Sequence, residues 1–197
     1  MKHHKARLVC VAGVVLAGVA VLRGAPPDRY ASATQGEGPR VQRFLCERSY
    51  TNFAWGYQHN GIFVDREGHV YRFDVPRTRL KDQPTGPAYT EAELETKYGP
   101  SPTLLRTVPR EDLLEMIRLI PSAARGTYSA RTSAGADRGA LVSACYVFDP
   151  DTGLYRDVEL DVKGDWEYRN LSPEAQKLAT WLESLVPAPR RNKEGQP

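Results

Sequence analysis

The chain has 197 residues, 41% hydrophobic and 26% charged, which suits one domain of ordinary size with appendages. Its formal net charge of +3 comes from the front, where Lys2, Lys5, Arg7, Arg23 and Arg29 face one acid, Asp28. The rest carries 22 basic and 23 acidic residues, and so near-neutral a body has no electrostatic reason to seek phosphate backbones, which argues against nucleic acid as a partner.

A targeting signal comes first. Behind the basic start, Leu8–Leu22 is a run of fifteen uncharged residues, mostly Leu, Val, Ala and Gly. A short apolar run after a basic start is the layout of a secretory signal peptide. A spanning helix wants about 20 apolar residues, so an uncleaved 1–22 segment would anchor the chain only with flanking side chains reaching for the interface. Small residues allow cleavage after Ala20 or Ala33. Cys10 stands at the start of the apolar run, whereas a lipid-modified cysteine would follow it. The protein is therefore expected to be exported (periplasmic, extracellular, or membrane-anchored facing outside) and to meet the membrane only through this N-terminal segment. Residues 23–40, rich in Pro and Gly, read as a flexible linker. A single domain is expected over 41–186, and the Pro-rich, charged stretch 187–197 reads as a disordered tail.

Beyond the leader only Cys46 and Cys145 remain, and in an oxidising compartment an even pair favours a disulfide over two buried thiols. Between Tyr50 and Tyr57 the chain is rich in aromatics (Tyr50, Phe53, Trp55, Tyr57) and reads as a strand or loop leading into a hairpin. That hairpin runs from Gly61 to Asp65, turns at Arg66-Glu67-Gly68, and returns over His69–Val75. A three-residue loop ending in Gly suits a type I turn with a bulge. The register sets Phe63 opposite Tyr71 and Gly61 opposite Phe73; both faces carry apolar residues, so the hairpin is predicted to lie inside the sheet or to be covered on both sides. A second hairpin pairs Leu141–Asp149 with Leu154–Val162 across Pro150–Gly153. It places Cys145 opposite Val158, Ser143 opposite Leu160, and Asp157, Glu159 and Asp161 together on a solvent-facing stripe.

Three helices are predicted. Thr90–Tyr98 opens on a capping box (Thr90, Glu93) and stops at Gly99-Pro100. Pro109–Ile120 carries an apolar stripe of Leu113, Leu114, Ile117 and Ile120, with Pro121 as its stop. Ser172–Leu185 is capped by Ser172 and presents Leu178, Trp181, Leu182 and Leu185. Segments 82–88 and 126–139 read as loops, the second as a mobile one. The fold class is α+β: an antiparallel β-sheet built from hairpins, with two or three helices packed on one face.

Constellations for chemistry are sparse. His59 and His69 flank opposite ends of the first hairpin, about 20 Å apart at 3.3 Å per residue, too far to share a metal ion, and both are expected to face solvent. No Gly-x-Ser-x-Gly elbow occurs, and Ser143 sits mid-strand. The acidic stripe lacks the surrounding oxygens of a calcium site, and Asp149–Gly153 has the composition of an ordinary turn. No catalytic residue, metal site or cofactor is assigned. The aromatic segment offers ligand-binding candidates in Tyr50, Trp55 and Tyr57, with Tyr50 and Tyr57 the more exposed and core packing the commoner use of such residues. The functional expectation is a non-enzymatic binding or interaction domain for an unknown protein or envelope ligand. The alternatives are a secreted hydrolase using carboxylates and a structural envelope protein.

Overall fold

The computed structural model describes residues 40–187 except Trp55. The expected leader lies outside the described residues, as do the linker apart from Arg40 and the tail apart from Pro187. Among the described residues no helix is long and apolar enough to cross a membrane.

Eight strands form one sheet: β1 (Phe44–Asn52), β2 (Gln58–Asp65), β3 (His69–Val75), β4 (Thr103–Thr107), β5 (Thr132–Ser133), β6 (Ala140–Asp149), β7 (Leu154–Gly164) and β8 (Trp166–Arg169). Their spatial order is β4-β3-β2-β1-β6-β7-β8-β5. Two antiparallel halves thus meet at a central seam between β1 and β6. The first hairpin has the register its turn chemistry demands, with His59 opposite Val75, Gly61 opposite Phe73, and Phe63 opposite Tyr71. Gly68 takes a φ of 85° at the turn, a conformation that glycine adopts without strain.

The second hairpin departs from simple alternation. Phe148 faces Tyr155 and Cys145 faces Val158, as the pattern requires, but the register shifts between Ser143 and Ala144, so Ser143 meets Asp161 instead of Leu160. A bulge of this kind re-aims every side chain beyond it. Val158 and Leu160 enter the core on one face, while Val162 joins Val142 on the other. The acidic stripe is split likewise. Asp157 and Glu159 share one face with Tyr146 and Ala144, whereas Asp161 turns to the opposite face and pairs with Lys163 at 2.8 Å.

The three helices are α1 (Glu91–Tyr98), α2 (Arg110–Ala123) and α3 (Pro173–Leu185). Helices α2 and α3 lie on one face, which we call the first. There Leu113, Met116, Ile120, Leu178, Leu182 and Leu185 pack on Cys46, Ile62, Val64, Val70, Cys145, Val158 and Leu160. Met116 replaces Leu114 in the expected stripe; Leu114 points to solvent. Pro121 does not stop α2. In the last turn it forfeits a single hydrogen bond, and the Ala124 N–H closes on the Ile120 carbonyl at 2.9 Å.

Helix α1 covers the second face instead. Its capping box is formed in full, and Leu94 and Tyr98 insert among Phe44, Phe63, Phe73, Tyr146 and Tyr155. Segment 126–139, expected to be mobile, is laid along β8: Ser129 N–H donates to the Arg169 carbonyl at 2.9 Å, and Thr132 and Ser133 pair with Glu167 and Trp166. That docking brings the Arg131 side chain over the second face.

Candidate functional site

The second face has a roofed half and an open half. Under the roof, Glu47 of β1 is 3% exposed. Cys46 faces the first side through its disulfide, so the neighbouring Glu47 points the opposite way, beneath α1. Its carboxylate accepts from Lys97 Nζ at 2.9 Å and from Tyr98 Oη at 2.8 Å; Lys97 also donates to Tyr146 Oη at 3.0 Å, and the two tyrosine hydroxyls bond at 2.7 Å. Burial alone would push the Glu47 carboxyl up, but the charge and hydrogen bond of Lys97 hold it below the ordinary value. Burial likewise works against the Lys97 ammonium, and Glu47 outweighs it. Burial, then the Glu47 charge, keeps both tyrosines protonated and able to donate. The result is an ion pair with its hydrogen-bonding capacity met, which is the condition for tolerating charge in a core.

His59 borders this cluster and is 4% exposed, contrary to the expectation that it faces solvent. The reason is that Tyr57 stacks on the imidazole (ring centroids 6.3 Å apart) and Phe73 packs tilted against it (5.0 Å). Its Nδ1 lies 2.9 Å from Thr51 Oγ1, and Nε2 has no hydrogen-bond partner among the described residues. Burial lowers the imidazole pKa to about 4, against the pull of Glu47. The unfolded chain takes up this proton near pH 6.5, whereas the folded chain resists it until about pH 4. The contribution of His59 is therefore full above pH 6.5 and drains away as the pH falls towards 4, by about 3 kcal/mol. Urea unfolding at pH 7 and pH 4.5 should show a fall in midpoint for the wild type that is much reduced in His59→Gln. Equal falls in the two proteins would remove His59 as the source.

Next to the roofed cluster, the Asp157 carboxyl is pushed up to about 6 by desolvation and by the Glu47 and Glu159 charges, despite Lys97. It accepts from Tyr89 Oη at 3.2 Å. Its side chain still meets solvent, so screening limits what the shift does for stability.

Beyond Glu159 the second face is open and hollowed into a cavity of about 520 Å³. Thr51, Val142 and Val162 form part of its floor, with Glu159 of β7 and Trp166 and Tyr168 of β8. Phe53 and Ala54 contribute one rim, Asp137 and Gly139 a second, and Arg131 a third. The bulge in β7 delivers Val162 here, and the turn into β8 is tight. A Cβ at Gly164 would stand 1.9 Å from the Gly139 carbonyl oxygen, so only glycine lets the chain pass. Glu159 Oε2 accepts from Tyr168 Oη at 2.7 Å, and Asp165 Oδ1 from the Arg138 N–H at 2.7 Å. The Arg131 guanidinium lies 4.7 Å from the Trp166 ring centroid and 5.5 Å from that of Tyr168.

Of the sequence candidates, Tyr50 supports the cavity from behind. Its hydroxyl donates to the Arg138 carbonyl at 3.0 Å and accepts from Asn52 Nδ2 at 2.8 Å, while Asn52 also donates to the Asp137 carbonyl at 3.2 Å, tying the rim to β1. Tyr57 is buried, not exposed, and stacks on His59 and Phe53. Trp55 lies outside the described residues. Cys46 and Cys145 face each other across the β1–β6 seam and are disulfide-bonded. At the first hairpin turn Asp65, Glu67 and His69 place one ligand atom each within 4.8 Å. Both Asp65 oxygens are already engaged there, by the His69 N–H at 2.8 Å and its ring Nδ1 at 2.9 Å, which is ordinary turn chemistry. Asp149 likewise spends its carboxylate within its own turn, accepting from the Asp151 N–H at 3.0 Å.

Glu47, Lys97, Arg131, Trp166 and Tyr168 are site residues that no sequence motif singles out. A signal for Glu47 was present: a charged residue beside an inward-facing cysteine in an apolar run must point into the other face. For Arg131 and Trp166 there was none, since their meeting depends on how segment 126–139 docks. No family model, curated protein or solved structure matches the chain.

Proposed function

We propose that the protein is an exported or membrane-anchored binding module, not an enzyme, which engages a protein or envelope ligand through the open cavity on the second face. One observation carries the reading. The three large aromatic side chains that stand exposed among the described residues, Phe53 (65%), Tyr128 (46%) and Trp166 (44%), gather around this cavity, Tyr128 through its contact with Tyr168 at 6.3 Å. Exposed aromatics are costly in water and mark interaction sites when they cluster. A purely structural role gives them no use. The basic-then-apolar leader supports export, and the Cys46–Cys145 bridge is compatible with an oxidising compartment. The near-neutral body and the acids of the cavity speak against nucleic acid as the ligand.

A photo-crosslinking residue placed in turn at positions 53, 166 and 114 in the native host tests the reading. Adducts are expected from positions 53 and 166 and not from 114, an exposed apolar position on α2. Adducts from all three alike, or from none, would sink it.

Carboxylate-dependent hydrolysis is the second reading, favoured by Asp157 with its pKa of about 6 two residues from Glu159 of the cavity. Turnover of a chromogenic glycoside by the wild type that is lost in Glu159→Gln would establish it over the binding module.

A further inference from the structure

Resting on the binding reading, we infer that the cavity recognises a cationic side chain, a lysine or arginine presented by a partner polypeptide. The molecule contains its own example of the contact. Arg131 leaves the extended segment paired with β8 and sets its guanidinium over Trp166 and Tyr168, and it forms no ion pair among the described residues. Aromatic faces attract cations through their quadrupole, and most strongly where water is partly excluded. Charge points the same way: Asp137, Glu159 and Asp165 line the cavity with Arg131 as the one basic residue, leaving a net local charge of −2. Glu159 and Asp165 each hold one oxygen through an internal hydrogen bond, which leaves the other with acceptor capacity for a cationic donor. The volume of about 520 Å³ exceeds what a single guanidinium fills. Phe53 and Tyr128 stand exposed beyond the central pair, where residues flanking the cation would lie. That distribution fits a chain segment rather than a free amine. Arg131 then acts as a resident guest, which the partner's cation joins or displaces.

The test titrates the full chain with a fluorescein-labelled tetra-arginine peptide, following anisotropy, alongside labelled tetra-glutamate and unlabelled spermine as competitor. Saturable binding of tetra-arginine is expected, weakened about tenfold in Glu159→Gln and in Trp166→Leu. Binding should be tightened about threefold or more in Arg131→Gln, which removes the resident cation. Raising the salt from 50 to 300 mM should weaken binding to the wild type. Both surface variants should unfold at the wild-type temperature, which separates lost binding from lost structure. Binding of tetra-glutamate that disappears in Arg131→Gln would overturn the cationic guest, as would tetra-arginine binding indifferent to Glu159 and Trp166. Displacement by spermine at concentrations well below those of the peptide would overturn the polypeptide source. Adducts at positions 53 and 166 in the host with no peptide binding would retain the binding module and overturn only this inference.

Discussion

Replacing the bridge with Cys46→Ala/Cys145→Ala, or reducing it, should cost the domain on the order of 4–5 kcal/mol. The two cysteines lie 99 residues apart in sequence, and closing so long a loop restricts the unfolded chain heavily. The bridge crosses the β1–β6 seam, the contact that joins the two halves of the sheet. Each half assembles from hairpins between neighbouring segments, but the seam pairs strands about a hundred residues apart, so its loop-closure entropy is the largest the fold must overcome. For a domain of this size the loss corresponds to a drop in melting temperature of about 10–15 °C. Thermal unfolding followed by circular dichroism, with and without reductant, measures it. A change below about 2 °C would show that the seam holds without its staple.

Removal of one partner from the buried ion pair should be nearly as damaging. Glu47→Ala strands the Lys97 ammonium beneath α1 and takes from the Tyr98 hydroxyl its acceptor, and about 3–5 kcal/mol is expected to go. Lys97→Met leaves the carboxylate with Tyr98 and Ser49 as its remaining donors, at 2.8 and 3.4 Å, and should cost somewhat less. The double variant Glu47→Ala/Lys97→Met leaves no orphaned charge and should lose less than the sum of the two single variants. Urea unfolding of the three variants at pH 7 gives the comparison. Strictly additive losses would mean that the two residues act independently, contrary to the geometry.

What could be read along the chain was whatever acts over a few residues. The Arg66-Glu67-Gly68 turn dictates its register because a type I turn with a left-handed glycine fits only one pairing of the flanking strands. Thr90 and Glu93 announce the start of α1, and Ser172 that of α3, because a cap hydrogen bond is made within three residues. The bulge at Ser143/Ala144 left no trace, since Val158-Glu159-Leu160-Asp161-Val162 alternates without a flaw. Two of the three helices share a face, within the expectation of two or three; α1 lies on the other because Leu94 and Tyr98 mate with a layer of aromatic rings that exists only once β1, β2, β3 and β6 are side by side.

The α+β class, both hairpins, the three helices and the pairing of Cys46 with Cys145 are legible along the chain, because turn chemistry, capping and apolar periodicity are local and residues 41–186 hold only two cysteines. The central place of β1 in the sheet, the burial of Glu47 and His59, and the gathering of Phe53, Arg131, Glu159 and Trp166 around one cavity emerge with the assembled fold. Those outcomes rest on contacts between segments far apart in the chain, and the environment of a polar side chain is set by what the rest of the fold lays over it.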